Sequence, residues 1–251
     1  MTEYRTSKTT KPRLGDPGGA FGVGNLDDLD TNLLVKFSLA ALSTDRRAMS
    51  ATVAEAITSG VSPDLIVDRY VPALARQMGD AWCKDEMSFS GVTIGVSRLQ
   101  SLLHELGPAP SGKTPATADA PTVLVVVAKD IFHTLGAVLL AGQLRRRGLS
   151  VNLLLDAHPD DVRQKLVHHA FDAVFISASI GETLESLRGI VESIHKAIDN
   201  PPPVVIGGTI LETDYDVKAA TGATFTTKDP DEAIVLCGLK TKPRASQDFA
   251  L

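Results

Sequence analysis

Three short stretches of the sequence carry residue types that suit ligand binding, and each follows an apolar run of strand length. The segment Lys129–Gly136 (KDIFHTLG) places His133 three residues before Gly136, between TVLVVVA and AVLLAGQLRRRG. Residues 177–179 (SAS) and 207–208 (GG) follow two later apolar runs. Hydroxyl groups anchor polar atoms, and glycine leaves room for a planar group against the backbone because it has no Cβ. His133 could simply donate to a carbonyl at a strand end, but histidine, serine and glycine together indicate a binding site.

Alternating strands and helices must position these stretches. Short β-branched runs (TVLVVVA, VNLLLD, AVFISA, PVVIGG and the weaker ATFTT) are separated by helical segments, among which we include LETDYDVKAAT. The alternation predicts a flavodoxin-like (Rossmann-like) five-stranded parallel sheet with helices on both faces. In such a sheet, ligands bind beyond the carboxyl ends of the strands, at the switch point beside the first strand. The stretch KDIFHTLG occupies that place.

The first half of the chain predicts a helical bundle. Apolar residues recur at helical spacing in LDTNLLVKFSLAAL, DRRAMSATVAEAI, SPDLIVDRYVPALARQMGDAW and FSGVTIGVSRLQSLLHEL. In the third helix, Ser62 suits the N-cap and Pro63 the first helical position. The predicted organisation is a flexible N-terminal arm at residues 1–27, a four-helix bundle at 28–106, a linker at 107–121, an α/β domain at 122–240 and a C-terminal tail at 241–251.

Composition and charge narrow the classes of function. The chain has 251 residues, 43% of them hydrophobic, and a formal net charge of −5, which argues against an overall field that attracts nucleic acid. The two cysteines, Cys83 and Cys237, lack the spacing of a metal site or a disulfide framework. The N-terminus has no signal-peptide core, and no run reaches membrane-spanning length. We therefore expect a cytoplasmic protein with no membrane partner.

Two basic segments raise the question of DNA contact. Residues 145–147 (RRR) end a predicted helix, where positive charge complements the helix macrodipole, and this interpretation is preferred to a nucleic-acid patch. Residues 4–13 carry Arg5, Lys8, Lys11 and Arg13 and could touch DNA or a partner, although a solvated arm is the simpler interpretation. Direct DNA contact therefore stays open, as weak or indirect contact.

The three stretches resemble the signatures of cobalamin-binding domains, written DxHxxG, SxL and GG. The match extends upstream, because MGDAWCKDEMSFSGVTIGVSRLQSLLHEL is similar to the end of the helical bundle that precedes such domains. Together the resemblance covers residues from about 30 to 240. The forms FHTLGA and WCxDExSFxxVTIGxxRLQ resemble the AerR/PpaA class of photosynthesis regulators, relatives of the SCHIC domain, more than methionine synthase.

The resemblance implies a base-off, His-on cobalamin, with His133 as the metal ligand below cobalt. The nucleotide tail would then thread between the sheet and its helices, and Trp82 would cap the upper face of the corrin. An ordinary bundle-core tryptophan is the alternative for Trp82. The cofactor-binding residues implied are Trp82, His133, Thr134, Gly136, Ser177, Ser179, Gly207 and Gly208.

Two positions depart from the family pattern. Ile131 stands where a carboxylate usually lies two residues before the histidine, and such a carboxylate orients the imidazole. Its replacement argues against a catalytic methyl carrier. Ser179 replaces leucine in the SxL signature, which implies a more polar tail pocket.

The function implied is that of a light-responsive antirepressor. It would bind a PpsR/CrtJ-type repressor of photosystem genes, with adenosylcobalamin bound in the dark and hydroxocobalamin after light. No nucleophile–base pair, phosphate loop or paired carboxylates stand out, so we expect no enzymatic activity. Three alternatives remain: a haem-binding redox sensor of SCHIC type, with His133 as the axial ligand; a corrinoid methyl carrier; and an interaction domain without cofactor. The sequence leaves the oligomeric state open.

Overall fold

A computed structural model of the protein describes residues 29–106, 119–129 and 134–241. The predicted arm at 1–27, most of the predicted linker and nearly all of the C-terminal tail lie outside these ranges. The helices of the first half are α1 (Thr31–Leu42), α2 (Ala48–Thr58), α3 (Pro63–Leu65), α4 (Val71–Cys83) and α5 (Phe89–Leu106), with a π-helical turn at Ile66–Tyr70 between α3 and α4. They follow the four predicted helical segments closely.

Side chains close the ends of two of these helices, and the sequence predicts one of these caps. Ser62 accepts a hydrogen bond from the Leu65 backbone N–H, which confirms the predicted N-cap. The C-terminal end of α1 is closed from another helix, because the guanidinium of Arg98 in α5 donates to the carbonyls of Ala40 and Ala41 at 3.1 and 2.9 Å. These bonds satisfy carbonyls that have no partner within α1.

The third predicted helix departs from regular α geometry at the π turn. Proline has no N–H, so Pro72 cannot donate to the carbonyl four residues earlier, and its ring clashes with that carbonyl in a regular helix. The Val71 N–H donates instead to the carbonyl of Ile66, five residues back. The sequence therefore predicts the extent of the helix, while Pro72 accounts for its wider turn.

The second half is a five-stranded sheet, all parallel, in the order β2-β1-β3-β4-β5. Its strands are β1 (Thr122–Ala128), β2 (Ser150–Ala157), β3 (Ala173–Ser177), β4 (Val204–Gly207) and β5 (Phe225–Thr226), and its helices are α6 (Leu135–Arg146), α7 (Pro159–His168), α8 (Leu184–Ala197), α9 (Val217–Thr221) and α10 (Pro230–Leu236). The flavodoxin-like prediction is confirmed. The segment LETDYDVKAAT is only partly α-helical, because a 3₁₀ turn at Thr209–Glu212 precedes the short α9.

The sheet has an apolar layer on each face because its side chains alternate. In β1, Leu124 and Val126 face the core formed with α7, α8 and α9, whereas Val123 and Val125 face the core formed with α6 and α10. Strands buried on both faces need continuous apolar runs, which explains TVLVVVA. This layering brings the ends of β1, β3 and β4 to one edge.

Helix α6 joins the two halves of the molecule. Leu135 and Leu139 belong to the apolar core of the bundle. At the other end of α6, the Arg146 guanidinium forms an ion pair with Asp68 in the π turn and lies 3.5 Å from the Asp64 carboxylate. Burial raises the pKa of Asp68, although Arg146 opposes this shift. The first α/β helix is thus anchored to the bundle by apolar contacts and by charge.

The three consecutive arginines all make intramolecular contacts. Arg145 donates to the Val151 carbonyl at 3.0 Å, and Arg147 donates to the Asp231 carboxylate at 2.7 Å, while Arg146 pairs with Asp68. A structural role accounts for these charges, in agreement with the preferred interpretation of the sequence. In the described ranges, no helix is long and apolar enough to cross a membrane.

Candidate functional site

The predicted serine and double glycine meet at the carboxyl edge of the sheet. Ser177 ends β3, Gly207 ends β4, and the two residues are register partners. The next residue, Ala178, continues the pairing, because its N–H donates to the Gly207 carbonyl at 2.8 Å. Two stretches that are thirty residues apart in the sequence therefore form one continuous surface.

Gly208 turns the chain where no other residue fits. Its φ is +109°, and a Cβ built on it would lie 2.2 Å from the Ala178 carbonyl oxygen. Such a contact is impossible without moving backbone atoms, and L side chains rarely adopt this conformation. The close approach of β3 and β4 thus requires glycine for an internal reason, separate from the space for a ligand that the sequence suggested.

The loops that follow β3 and β4 are hydrogen-bonded to each other. The Ile180 N–H donates to the Thr209 hydroxyl at 3.1 Å, and the Ile210 N–H donates to the Ala178 carbonyl at 3.3 Å. Thr209 is 1% exposed, so this hydroxyl lies in the protein interior. The two loops form a single wall at the carboxyl edge.

Glu182 closes the loop after β3, and the sequence analysis did not identify it. Its Oε1 accepts hydrogen bonds from the Ser179 N–H at 2.7 Å and from the Ser179 hydroxyl at 3.3 Å. The predicted site residue Ser179 is therefore engaged with a carboxylate. The spacing Ser-x-x-Glu is that of a capping box, and this signal could have located Glu182.

The environment of the Glu182 carboxyl is unusual. The residue is 7% exposed, and its Oε2 is buried with no hydrogen-bond partner among the described residues. Burial raises the pKa of Glu182 to about 7, and the two hydrogen bonds from Ser179 oppose the shift only in part. The edge thus contains a carboxyl group that changes charge near neutral pH.

The first strand brings two more predicted residues to this edge. The Lys129 N–H donates to the Ala157 carbonyl at 3.0 Å, directly after β1. Thr134 is half-buried at the N-cap of α6, and Gly136 is buried in the first turn of α6. His133 and Ile131 lie outside the described residues, so the metal ligand stays a prediction of the sequence.

Trp82 lies in the bundle, near the end of α4, and is half-buried. The turn after it is closed by the Glu86 N–H, which donates to the Ala81 carbonyl at 2.8 Å. Met87, which ends this turn, packs against the same apolar core that contains Leu135 of α6. The turn after Trp82 and the start of α6 therefore share one apolar core.

The described residues contain no group of three or more His, Cys, Asp or Glu side chains that could hold a metal ion. His168 and His169 are both exposed. Burial raises the pKa of Cys237 to about 11, so this thiol is a poor metal ligand and nucleophile near neutral pH.

Comparison with known proteins identifies the kind of domain. A family model described as a B12 binding domain matches residues 121–235. A Rhodobacter capsulatus protein, described as an uncharacterized 20.5 kDa protein in the bchF-crtJ intergenic region, is 36% identical over 160 residues. This alignment covers 64% of the present chain and 83% of the relative.

Solved structures support the fold. The monomethylamine corrinoid protein of Methanosarcina barkeri has a TM-score of 0.59 at 18% identity, and the match covers 82% of this chain and 94% of that one. A cobalamin-binding protein from Desulfitobacterium hafniense DCB-2 covers 84% of this chain and 98% of its own at 16% identity, but its TM-score of 0.42 is too low to carry an argument. Identities this low concern the fold alone.

Proposed function

Since this chain belongs to the B12-binding protein family of the AerR/PpaA type, we propose that it is a light-responsive cobalamin protein that acts as an antirepressor. The observation that carries the proposal is the 36% identity with the R. capsulatus protein, together with the B12-binding match. The gene region of that relative adjoins crtJ, and the resemblance implies a PpsR/CrtJ-type repressor as the partner.

Two features at the sheet edge support a cofactor with a polar tail. The Gly207-Gly208 turn brings bare backbone to the edge, and the buried Oε2 of Glu182 can accept a hydrogen bond. In the proposed site, His133 would hold cobalt, the Ser177–Ser179 and Gly207–Gly208 stretches together with Thr134 and Gly136 would hold the tail, and Trp82 would cover the ring. Bound adenosylcobalamin would supply a cobalt–carbon bond that light can break.

The signal would pass through the contact between the bundle and α6. Loss of a bulky group beneath Trp82 would change the preferred position of the bundle relative to the α/β domain. Leu135, Leu139 and the Arg146–Asp68 pair join these two parts, so they would transmit the change. A nearly complete switch requires about 5 kcal/mol of difference in binding between the two states, whereas a smaller difference is sufficient for tuning.

The proposed output is contact with a repressor rather than with DNA. A net charge of −5 disfavours non-specific DNA binding, and the arginine run is engaged within the protein. We further propose that the protein is not an enzyme, because Ile131 stands in place of the carboxylate that orients the imidazole in corrinoid enzymes.

A repressor-displacement experiment tests this function. The protein is loaded with adenosylcobalamin in darkness and added to a PpsR/CrtJ-type repressor on its operator DNA, before and after illumination. We expect the amount of repressor released from operator DNA to differ between the dark and illuminated states. Without the repressor, we expect the protein to have no effect on the DNA. No effect in either state would contradict the antirepressor role, and sustained methyl transfer from a methylated donor would instead favour a methyl carrier. A Soret band on addition of haem, without retention of corrin, would favour the haem sensor.

A further inference from the structure

One buried carboxylate at the sheet edge uses only one of its two oxygen atoms within the described residues. Glu182 uses Oε1 to hold Ser179, but Oε2 is buried and unpartnered among the described residues. A buried acceptor without a donor costs free energy, and the cost is larger for a charged group. Closing the turn needs only Oε1, so the turn alone does not explain a carboxylate at this position.

The location of Glu182 limits which groups could donate a hydrogen bond to its Oε2. The residue follows β3 in the loop that is hydrogen-bonded to the Gly208-Thr209 turn, at the edge where parallel sheets bind ligands. A corrin ring is a wide macrocycle, so it must lie outside this wall. The nucleotide tail of cobalamin is narrow and carries ribose hydroxyl groups, so it can reach a buried carboxylate between the loops.

We propose that Glu182 binds the nucleotide tail of cobalamin, with Oε2 accepting a hydrogen bond from a ribose hydroxyl while Oε1 keeps the Ser179 turn closed. This inference rests on the proposed function, since it takes cobalamin as the ligand. It adds a residue outside the signature positions and gives the polar Ser179 a role, because Ser179 orients the carboxylate. A leucine at position 179 would offer no hydroxyl to Glu182.

The test compares two corrinoids that differ only in the tail. Wild type and Glu182→Gln are titrated at pH 8 with hydroxocobalamin and with hydroxocobinamide, which lacks the nucleotide tail, and affinity is measured by equilibrium dialysis. Glutamine keeps an acceptor for Ser179 but replaces the other carboxylate oxygen with an amide donor. We expect Glu182→Gln to weaken cobalamin binding by about tenfold or more and to leave cobinamide binding unchanged.

Glu185→Gln is the matched control, because Glu185 is exposed in the first turn of α8 and undergoes the same chemical change. It should bind both corrinoids as wild type does. Equal losses for both corrinoids in Glu182→Gln, or no loss for either, would overturn the tail contact while leaving the proposed function intact. A wild type that retains neither corrinoid would overturn the proposed function itself, and the inference with it.

Discussion

At the scale of single residues, Gly208 makes the clearest prediction. Gly208→Ala combines an unfavourable φ of +109° with a Cβ placed 2.2 Å from a backbone oxygen, so the turn must move. We expect the variant to lose about 3 kcal/mol in the free energy of unfolding, measured by chemical denaturation.

Gly60→Ala separates strain from collision. Gly60 also has a positive φ, +92°, but its Cβ would meet nothing within 4 Å. This variant should lose only about 1 kcal/mol. Equal losses in the two variants would show that the contact with Ala178 is unimportant.

Glu182 makes the stability of the protein depend on pH. Burial raises the pKa of Glu182 from its ordinary value of 4.5 to about 7 in the folded protein, so folding favours the neutral acid. The stabilisation is fully present below pH 4.5 and is lost as the pH rises through 7, by about 3 kcal/mol in total.

Glu182→Gln lacks this titration and provides the reference. As the pH rises from 4 to 8, the free energy of unfolding of the wild type should fall relative to that of Glu182→Gln. If the free energies of unfolding of the two proteins changed with pH in parallel over this range, the raised pKa of the buried Glu182 carboxyl would be contradicted.

At the scale of elements, Arg98 links two helices of the bundle. Its guanidinium donates to the Ala40 and Ala41 carbonyls at the end of α1, and the Ala40 carbonyl also accepts a hydrogen bond from the Ser43 N–H at 3.3 Å. We expect Arg98→Ala to lower the free energy of unfolding by about 1–2 kcal/mol. Arg163→Ala is a suitable control, because Arg163 is half-exposed and pairs with Asp160 within one helix turn. A similar loss in the free energy of unfolding for both variants would argue against a capping role of Arg98 at the end of α1.

The elements were largely predictable from the sequence, since they depend on local patterns. Strand runs such as TVLVVVA need both faces buried, and Ser62-Pro63 marks a helix start in any context. The π turn does not follow from the spacing of apolar residues, because that spacing continues through Pro72 as in a regular helix. The Ser-x-x-Glu spacing could have located the contact of Glu182 with Ser179, but the burial of this carboxyl depends on tertiary structure.

At the scale of the whole molecule, the Arg146–Asp68 pair couples the bundle to the α/β domain. Arg146→Ala would leave the Asp68 carboxylate partly buried without its partner. We expect a loss of about 2 kcal/mol at pH 7, measured by denaturation. The loss should shrink in acid, because burial already raises the pKa of Asp68 and protonation removes its charge.

A double-variant cycle checks that the two charges act together. Asp68→Asn combined with Arg146→Ala should cost less free energy of unfolding than the sum of the two single changes, because no buried charge remains unpaired in the double variant. Strictly additive effects of the two changes would mean that the pair does not couple the two parts.

The whole-molecule site was predictable in part. The sheet order brings Ser177 and Gly207 together, as the alternation of strands and helices predicted. The sequence also placed Trp82 on the bundle, but the packing of the turn after it with α6 depends on contacts between distant segments. Local patterns do not encode such contacts.

The central claim is that this protein binds a light-sensitive cobalamin through His133. The most direct measurement is the absorption spectrum of protein reconstituted in darkness with adenosylcobalamin, desalted, and recorded before and after illumination. His133→Ala serves as the test variant, and His195→Ala, which changes an exposed residue of α8, as the control.

The account predicts that wild type and His195→Ala retain the corrin and change irreversibly to a hydroxo- or imidazole-ligated spectrum in light. His133→Ala should lose the spectral features of imidazole coordination. Failure of the wild type to retain the corrin, or an identical cobalt spectrum in His133→Ala, would contradict it.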